Sequence, residues 1–155
     1  MRNWQKAYYT NALGLLQQFS GDVAGARATW QHVENDWEEL SHSTKDPDSA
    51  YRLASAYAAF GDKTKAFATL DRVETVKRPP DDLRLLALFV ELRARIAAIA
   101  GDNNLALEQL AISAQQPGGV AYGDLKFNPL WDLLRGDPRF EKIVASLAPK
   151  NGSSP

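Results

Sequence analysis

The side chains of this 155-residue chain that are best suited to chemistry are two histidines and a few paired acids. His32 and His42 lie close in sequence to Glu34 and Asp36, and imidazole and carboxylate groups are common zinc ligands. The two histidines are ten residues apart, however, so they share a helix face poorly, and His42 falls beyond the predicted end of its helix. The spacing therefore favours histidines without a metal, and we expect no metal site.

The paired acids also lack the partners that acid–base catalysis needs. Glu38-Glu39 and Asp81-Asp82 fall at predicted helix ends, where the second pair suits the positive end of a helix. The chain has no cysteine, which excludes a thiol nucleophile and a disulfide framework. No phosphate loop, nucleophile elbow, zinc spacing or calcium loop occurs. The sequence predicts a protein that is not an enzyme and binds no cofactor.

Composition and charge narrow the class of protein. The chain is 45% hydrophobic and 24% charged, which suits one ordinary domain, expected over residues 1–148. The net charge of −1 gives no basic field for holding nucleic acid. No apolar run approaches the roughly 20 residues of a membrane helix, and residues 1–10 lack the apolar stretch and cleavage site of a signal peptide. We expect a cytoplasmic protein without nucleic-acid binding or membrane insertion.

The elements that position these side chains come from a repeat with a period of forty residues. Gly-Asp occurs at Gly21-Asp22, Gly61-Asp62 and Gly101-Asp102. Small and large apolar residues recur at the same offset in each copy: Gly14, Ala54 and Ala94; Ala26, Ala66 and Ala106; Trp30, Leu70 and Leu110. So many matches at one offset predict a structural repeat.

The pattern predicts a helix hairpin used three times. Each glycine fits a helix C-terminus in a left-handed conformation, and each aspartate fits the N-cap of the next helix. The small residues are expected where the two helices cross closely. The predicted helices span 3–19, 23–40, 47–60, 63–77, 82–100 and 103–115.

These residues resemble the tetratricopeptide repeat, most clearly in the second copy with Leu53-Ala54, Tyr57, Gly61-Asp62, Ala66, Leu70 and Val73. The family period is about 34 residues, and a HEAT-type repeat with a period near forty remains the alternative. The resemblance implies an all-α, right-handed solenoid of three hairpins, with repeats at about 5–40, 47–78 and 82–117.

The end of the chain changes character after the loop signal Gln116-Pro117-Gly118-Gly119. Asn128-Pro129 and Asp137-Pro138 each predict a helix start, giving a two-helix cap over about 124–148 and a disordered tail over 149–155. The segment 127–140 resembles the tail of bacterial proteins that place tetratricopeptide repeats behind a kinase, cyclase or winged-helix domain.

The resemblance implies a binding surface on the first helix of each hairpin, at Tyr8, Asn11, Leu15, Gln18, Tyr51, Ser55, Glu91 and Arg95. Asn11 and Gln18 could bond a peptide backbone, Tyr51 could anchor it, and Arg95 could pair with a carboxylate. We expect a module that binds a peptide or neighbouring domain. The alternative is that the chain is a domain of a larger bacterial signalling protein. There it would either regulate that protein or associate with itself, for example as a homodimer.

Overall fold

The computed structural model describes residues 3–31, 47–77 and 83–149, and these ranges are all-helical without a strand. This confirms the predicted all-α class. The chain divides into two compact units, Met1–Asp81 and Asp82–Pro155. No helix in the described ranges is long and apolar enough to cross a membrane.

The first unit contains two helix hairpins. Its helices are α1 (Asn3–Phe19), α2 (Val23–Gln31), α3 (Pro47–Ala59) and α4 (Lys63–Lys77). Helix α1 packs against α2, α3 packs against α4, and α1 also contacts α3. The Trp30 ring of the first hairpin meets the Phe60 ring of the second edge-on, with centroids 6.0 Å apart. The two hairpins of this unit therefore share an aromatic contact.

The predicted helix bounds agree with these four helices to within a residue wherever they can be compared. The remainder of the second predicted helix, 32–40, lies outside the described residues. The same is true of both histidines, their acidic neighbours, both paired acids and residues 150–155 of the predicted tail.

The second unit contains the third hairpin and the cap. The hairpin consists of α5 (Leu83–Ile99) and α6 (Asn103–Ser113). The cap consists of α7 (Tyr122–Phe127), a 3₁₀ helix (Pro129–Leu134) and α8 (Pro138–Leu147). The 3₁₀ helix packs against both α5 and α6, and α8 packs against α6 and α7. The cap thus covers the third hairpin, as its apolar residues predict.

The three glycine–aspartate junctions have one geometry. Gly21, Gly61 and Gly101 have φ values of 88°, 86° and 71°, a left-handed conformation that costs glycine little. Each aspartate N–H donates to a carbonyl five residues earlier, as in a Schellman motif. Each aspartate side chain also accepts a backbone N–H three residues later, at 2.9, 3.0 and 3.2 Å in chain order. The predicted helix ends and N-caps are confirmed in all three copies.

The small residues of the repeat lie where helices cross closely. Ala26, Ala66 and Ala106 are fully buried, as are Ala54 and Ala94. In the first copy a Cβ built on Gly14 would overlap the Trp30 indole, so this site has room for glycine only. The repeated small residues therefore allow the two helices of each hairpin to pack closely together.

The cap differs from its prediction in two ways. Asn128 and Asp137 do cap their helices, accepting the N–H groups of Leu130 and Arg139 at 3.0 and 2.8 Å. The first of these helices is a six-residue 3₁₀ helix that ends at Leu134, two residues before the left-handed Gly136. Helix α7 is absent from the prediction; Ala121 at its N-cap makes no side-chain bond, so the sequence has no start signal there.

Candidate interaction surfaces

The predicted site residues of the first unit occupy different environments. Leu15 and Gln18 are partly exposed on α1, and Tyr51 is partly exposed on α3. Ser55 is fully buried, and its hydroxyl donates to the Tyr51 carbonyl at 2.7 Å. A serine bonded to its own helix in this way offers no open donor, so Ser55 is not part of an exposed surface. The side chains of Tyr8 and Asn11 lie outside the described residues.

Arg95 and Glu91 form an ionic cluster with the cap. The Arg95 guanidinium donates to Glu91 Oε1 at 2.6 and 3.0 Å, and to Asp124 Oδ2 at 2.9 Å. Its Cζ lies 5.5 Å from the Trp131 ring centroid, within range of a cation–π contact. The chain itself thus supplies a carboxylate to Arg95, and any partner that binds this side chain competes with Asp124.

Asp124, in the first turn of α7, is the centre of this cluster. Its Oδ2 also accepts the Trp131 indole N–H at 3.0 Å, and its Oδ1 accepts the Asn128 amide at 2.9 Å. One carboxylate therefore joins α5, α7 and the 3₁₀ helix. We name Arg95, Glu91, Asp124, Asn128 and Trp131 the Arg95 cluster.

The Asp124 carboxyl has an altered pKa. Burial by itself raises the pKa, but the Asn128 bond, the charge of Arg95 and the Trp131 bond together lower it below the ordinary value of 3.8. A carboxylate with a depressed folded-state pKa stabilises the fold above the unfolded-state pKa. That stabilisation is lost as pH falls through the folded-state pKa.

We expect the second unit to lose stability as the pH falls below about 4, partly because Asp124 becomes protonated. Carbon-detected NMR titration of the Asp124 carboxyl measures this directly, with an expected midpoint below 3.8. In Arg95→Gln the midpoint should rise, since the nearby positive charge is gone. A wild-type midpoint at or above the ordinary value would contradict the role given to the cluster.

A second surface, absent from the sequence prediction, is a groove between α6 and α8 in the second unit. Its volume is about 670 Å³. Leu107 and Ile143, which are buried, and the half-buried Ala111 and Ala114 form its apolar floor. The α6 wall adds Asn104 and Glu108, Gln115 follows just beyond the end of that helix, and the α8 wall adds Arg139, Lys142 and Ser146. We name this site the α6–α8 groove.

The groove has opposite charges on its two walls. Glu108 lies on α6, whereas Arg139 and Lys142 lie on α8. Arg139 is engaged with Asp137 at 2.8 Å and with the Asn104 side chain at 3.0 Å. Asn104 and Arg139 are in the first turns of their helices, so this bond links the walls where both helices begin. Sequence reasoning missed the groove because it depends on how the cap helix packs.

A third surface is an apolar stripe on α1. Leu13 and Leu16 are 51% and 62% exposed, and Tyr9 is 62% exposed. Spacings of four and three residues place all three on one helix face. We name these three residues the α1 stripe. Leucine and tyrosine side chains are commonly buried, yet each of these three is more than half exposed.

Comparison of the chain with protein-family models, curated proteins and solved structures found no match. Within the described ranges, no group of three or more His, Asp or Glu side chains could hold a metal. Functional inference therefore rests on the three surfaces.

Proposed function

We propose that this chain is a non-catalytic protein-binding module of tetratricopeptide-like hairpins stacked as a right-handed solenoid. The observation that carries the proposal is the α6–α8 groove, with its apolar floor and charged walls. Such a combination is typical of sites that bind one face of a peptide or helix. The apolar floor provides affinity, and the charged rim sets the orientation of the ligand.

The dimensions of the groove fit a short helical segment. Within the helix, the α6 wall runs from Asn104 to Ala111, which at 1.5 Å per residue is about 10 Å, or two turns of a bound helix. A ligand helix would place an apolar stripe on Leu107 and Ile143. Acidic residues would face Lys142, and basic residues would face Glu108. We therefore infer an amphipathic helix as the ligand.

The proposal is tested with a displayed library of random peptides selected against the full chain. We expect the recovered peptides to share apolar residues at spacings of three and four, and to bind with micromolar affinity, at about −8 kcal/mol. Ala111→Arg, which fills the floor, should weaken binding at least tenfold. Ala145→Arg is the control, because Ala145 is exposed on α8 but does not line the groove.

Recovery of no binding peptide, or equal binding by both variants, would contradict the groove as the ligand site. The partly exposed residues Leu15, Gln18 and Tyr51 of the first unit would then be the remaining candidates for peptide binding.

The second candidate function is self-association or regulation within a larger signalling protein. The observation that favours it is the α1 stripe, since exposed apolar residues on one helix face commonly mark an interaction site.

A further inference from the structure

The two walls of the α6–α8 groove run in the same direction and in register. The Asn104 side chain accepts a hydrogen bond from Arg139 at 3.0 Å, in the first turns of α6 and α8. On each helix, the residues three, four and seven positions further along also line the groove: Leu107, Glu108 and Ala111 on α6, and Lys142, Ile143 and Ser146 on α8. Equal spacings counted from one bond place the two sets at matching heights along the two helices.

Floor and rim positions are exchanged between the two walls. On α6, Leu107 is buried and the next residue, Glu108, is exposed. On α8 the order is reversed, because Lys142 is exposed and the next residue, Ile143, is buried. The two charged side chains therefore lie on opposite rims of the apolar floor. Their positions differ by one residue in the common register, so they lie within about 1.5 Å of the same height.

Both rim charges are open to a ligand. In the part of the chain that the structure describes, neither Glu108 nor Lys142 takes part in an ion pair, and the two do not pair with each other across the groove. Arg139, the other charged residue that lines the groove, is held by both carboxylate oxygens of Asp137 and by Asn104. The groove thus presents one acid on one rim and one base on the other.

A helix lying on the floor would meet both rims with residues that are two apart in its sequence. Successive residues of a helix are rotated by about 100°, so the neighbours before and after a stripe residue point to opposite flanks, about 3 Å apart along the axis. An acid and a base at these two positions do not face each other and can reach the two rims. Placed four residues apart, they would share one flank and pair with each other.

We propose that the partner of the α6–α8 groove is a helix with an acid–apolar–base triplet, whose central side chain lies on Leu107 and Ile143. The acid meets Lys142 and the base meets Glu108. Either order of the triplet fits, because turning a helix end to end exchanges its flanks. This inference rests on the proposed function and narrows it, since it excludes helices that are uniformly acidic or uniformly basic beside their apolar stripe.

Isothermal titration calorimetry of the full chain with four designed helical peptides tests the proposal. All four carry one leucine stripe on a background of alanine and glutamine. Three have the central triplets Glu-Leu-Lys, Glu-Leu-Glu and Lys-Leu-Lys. The fourth has the composition of the first, with its acid and base four residues apart on one flank. We expect the first peptide to bind about tenfold more tightly than the others, because each of those loses a charge pair or gains a repulsion.

A charge reversal on one rim should change the preferred peptide. Lys142→Glu makes both rims acidic, so the Lys-Leu-Lys peptide should then bind about tenfold more tightly than the Glu-Leu-Glu peptide. Lys126→Glu is the matched control, since it makes the same charge change at an exposed residue of α7 that does not line the groove. This control should keep the wild-type order of affinities.

Equal binding of all four peptides, or the same order of affinities in Lys142→Glu as in the wild type, would overturn this inference and leave the proposed function standing. A change of order in Lys126→Glu as large as in Lys142→Glu would also overturn it, because the preference would then come from long-range charge. Binding by none of the peptides, or binding that is undiminished in Ala111→Arg, would overturn the proposed function together with the inference.

Discussion

Replacing Trp131 with alanine is expected to reduce the free energy of unfolding of the second unit by about 3–5 kcal/mol. The indole is fully buried in the 3₁₀ helix, which packs against α5 and α6. Its loss leaves a cavity, removes the N–H that bonds Asp124, and removes the ring beneath the Arg95 guanidinium. All three losses weaken the same contact between the cap and the hairpin, so they are coupled and the expected value is for the substitution as a whole.

Two further variants separate these contributions. Trp131→Phe keeps most of the ring but not the N–H, so we expect a loss of about 1–2 kcal/mol. Leu133→Ala, in the same 3₁₀ helix but largely exposed, should change stability by less than about 0.5 kcal/mol. Urea unfolding followed by far-ultraviolet circular dichroism measures all three. Similar losses for Trp131→Ala and Leu133→Ala would contradict the anchoring role of the indole.

Alanine at Gly119 is expected to destabilise the second unit by about 2 kcal/mol or more, because backbone cannot give way as a side chain can. A Cβ built there would meet the Ser113 carbonyl oxygen at the end of α6. The neighbouring Val120 N–H donates to the Ser113 hydroxyl at 2.9 Å, and Ser113 and Val120 are both buried. The chain therefore cannot retreat from the clash without breaking this bond.

The same substitution four residues later should have the opposite sign. Gly123 lies in α7, and a Cβ built there meets nothing within 4 Å. Alanine at this position should stabilise the unit by about 0.5–1 kcal/mol, since it favours the helix and restricts the unfolded chain. Thermal unfolding of both variants under identical conditions gives the comparison. A loss of stability in Gly123→Ala as large as that in Gly119→Ala would contradict the close-approach explanation.

The local features of this fold could be predicted from the sequence because their causes are local. A glycine that ends a helix and an aspartate that caps the next one act over five residues, so the forty-residue repeat predicted all three junctions. The burial of Ala26, Ala66 and Ala106 followed from the same repeat, because each alanine lies where its hairpin closes.

The candidate site was less predictable because it depends on contacts between distant residues. Arg95 and Asp124 are 29 residues apart, and nothing in the pattern around either one indicates the pair. The α6–α8 groove exists only when the cap helix packs beside α6. The α1 stripe shows a further limit, because Leu13 and Leu16 are exposed whereas the residues forty positions later, Leu53 and Ala56, are buried.

The three glycine–aspartate junctions also affect how fast the chain can fold. Each junction is closed by bonds that span at most five residues, and each hairpin joins helices that are adjacent in sequence. Low contact order of this kind is associated with folding in microseconds to milliseconds. A hairpin can nucleate as soon as its own forty residues have left the ribosome, before the rest of the chain has been synthesised.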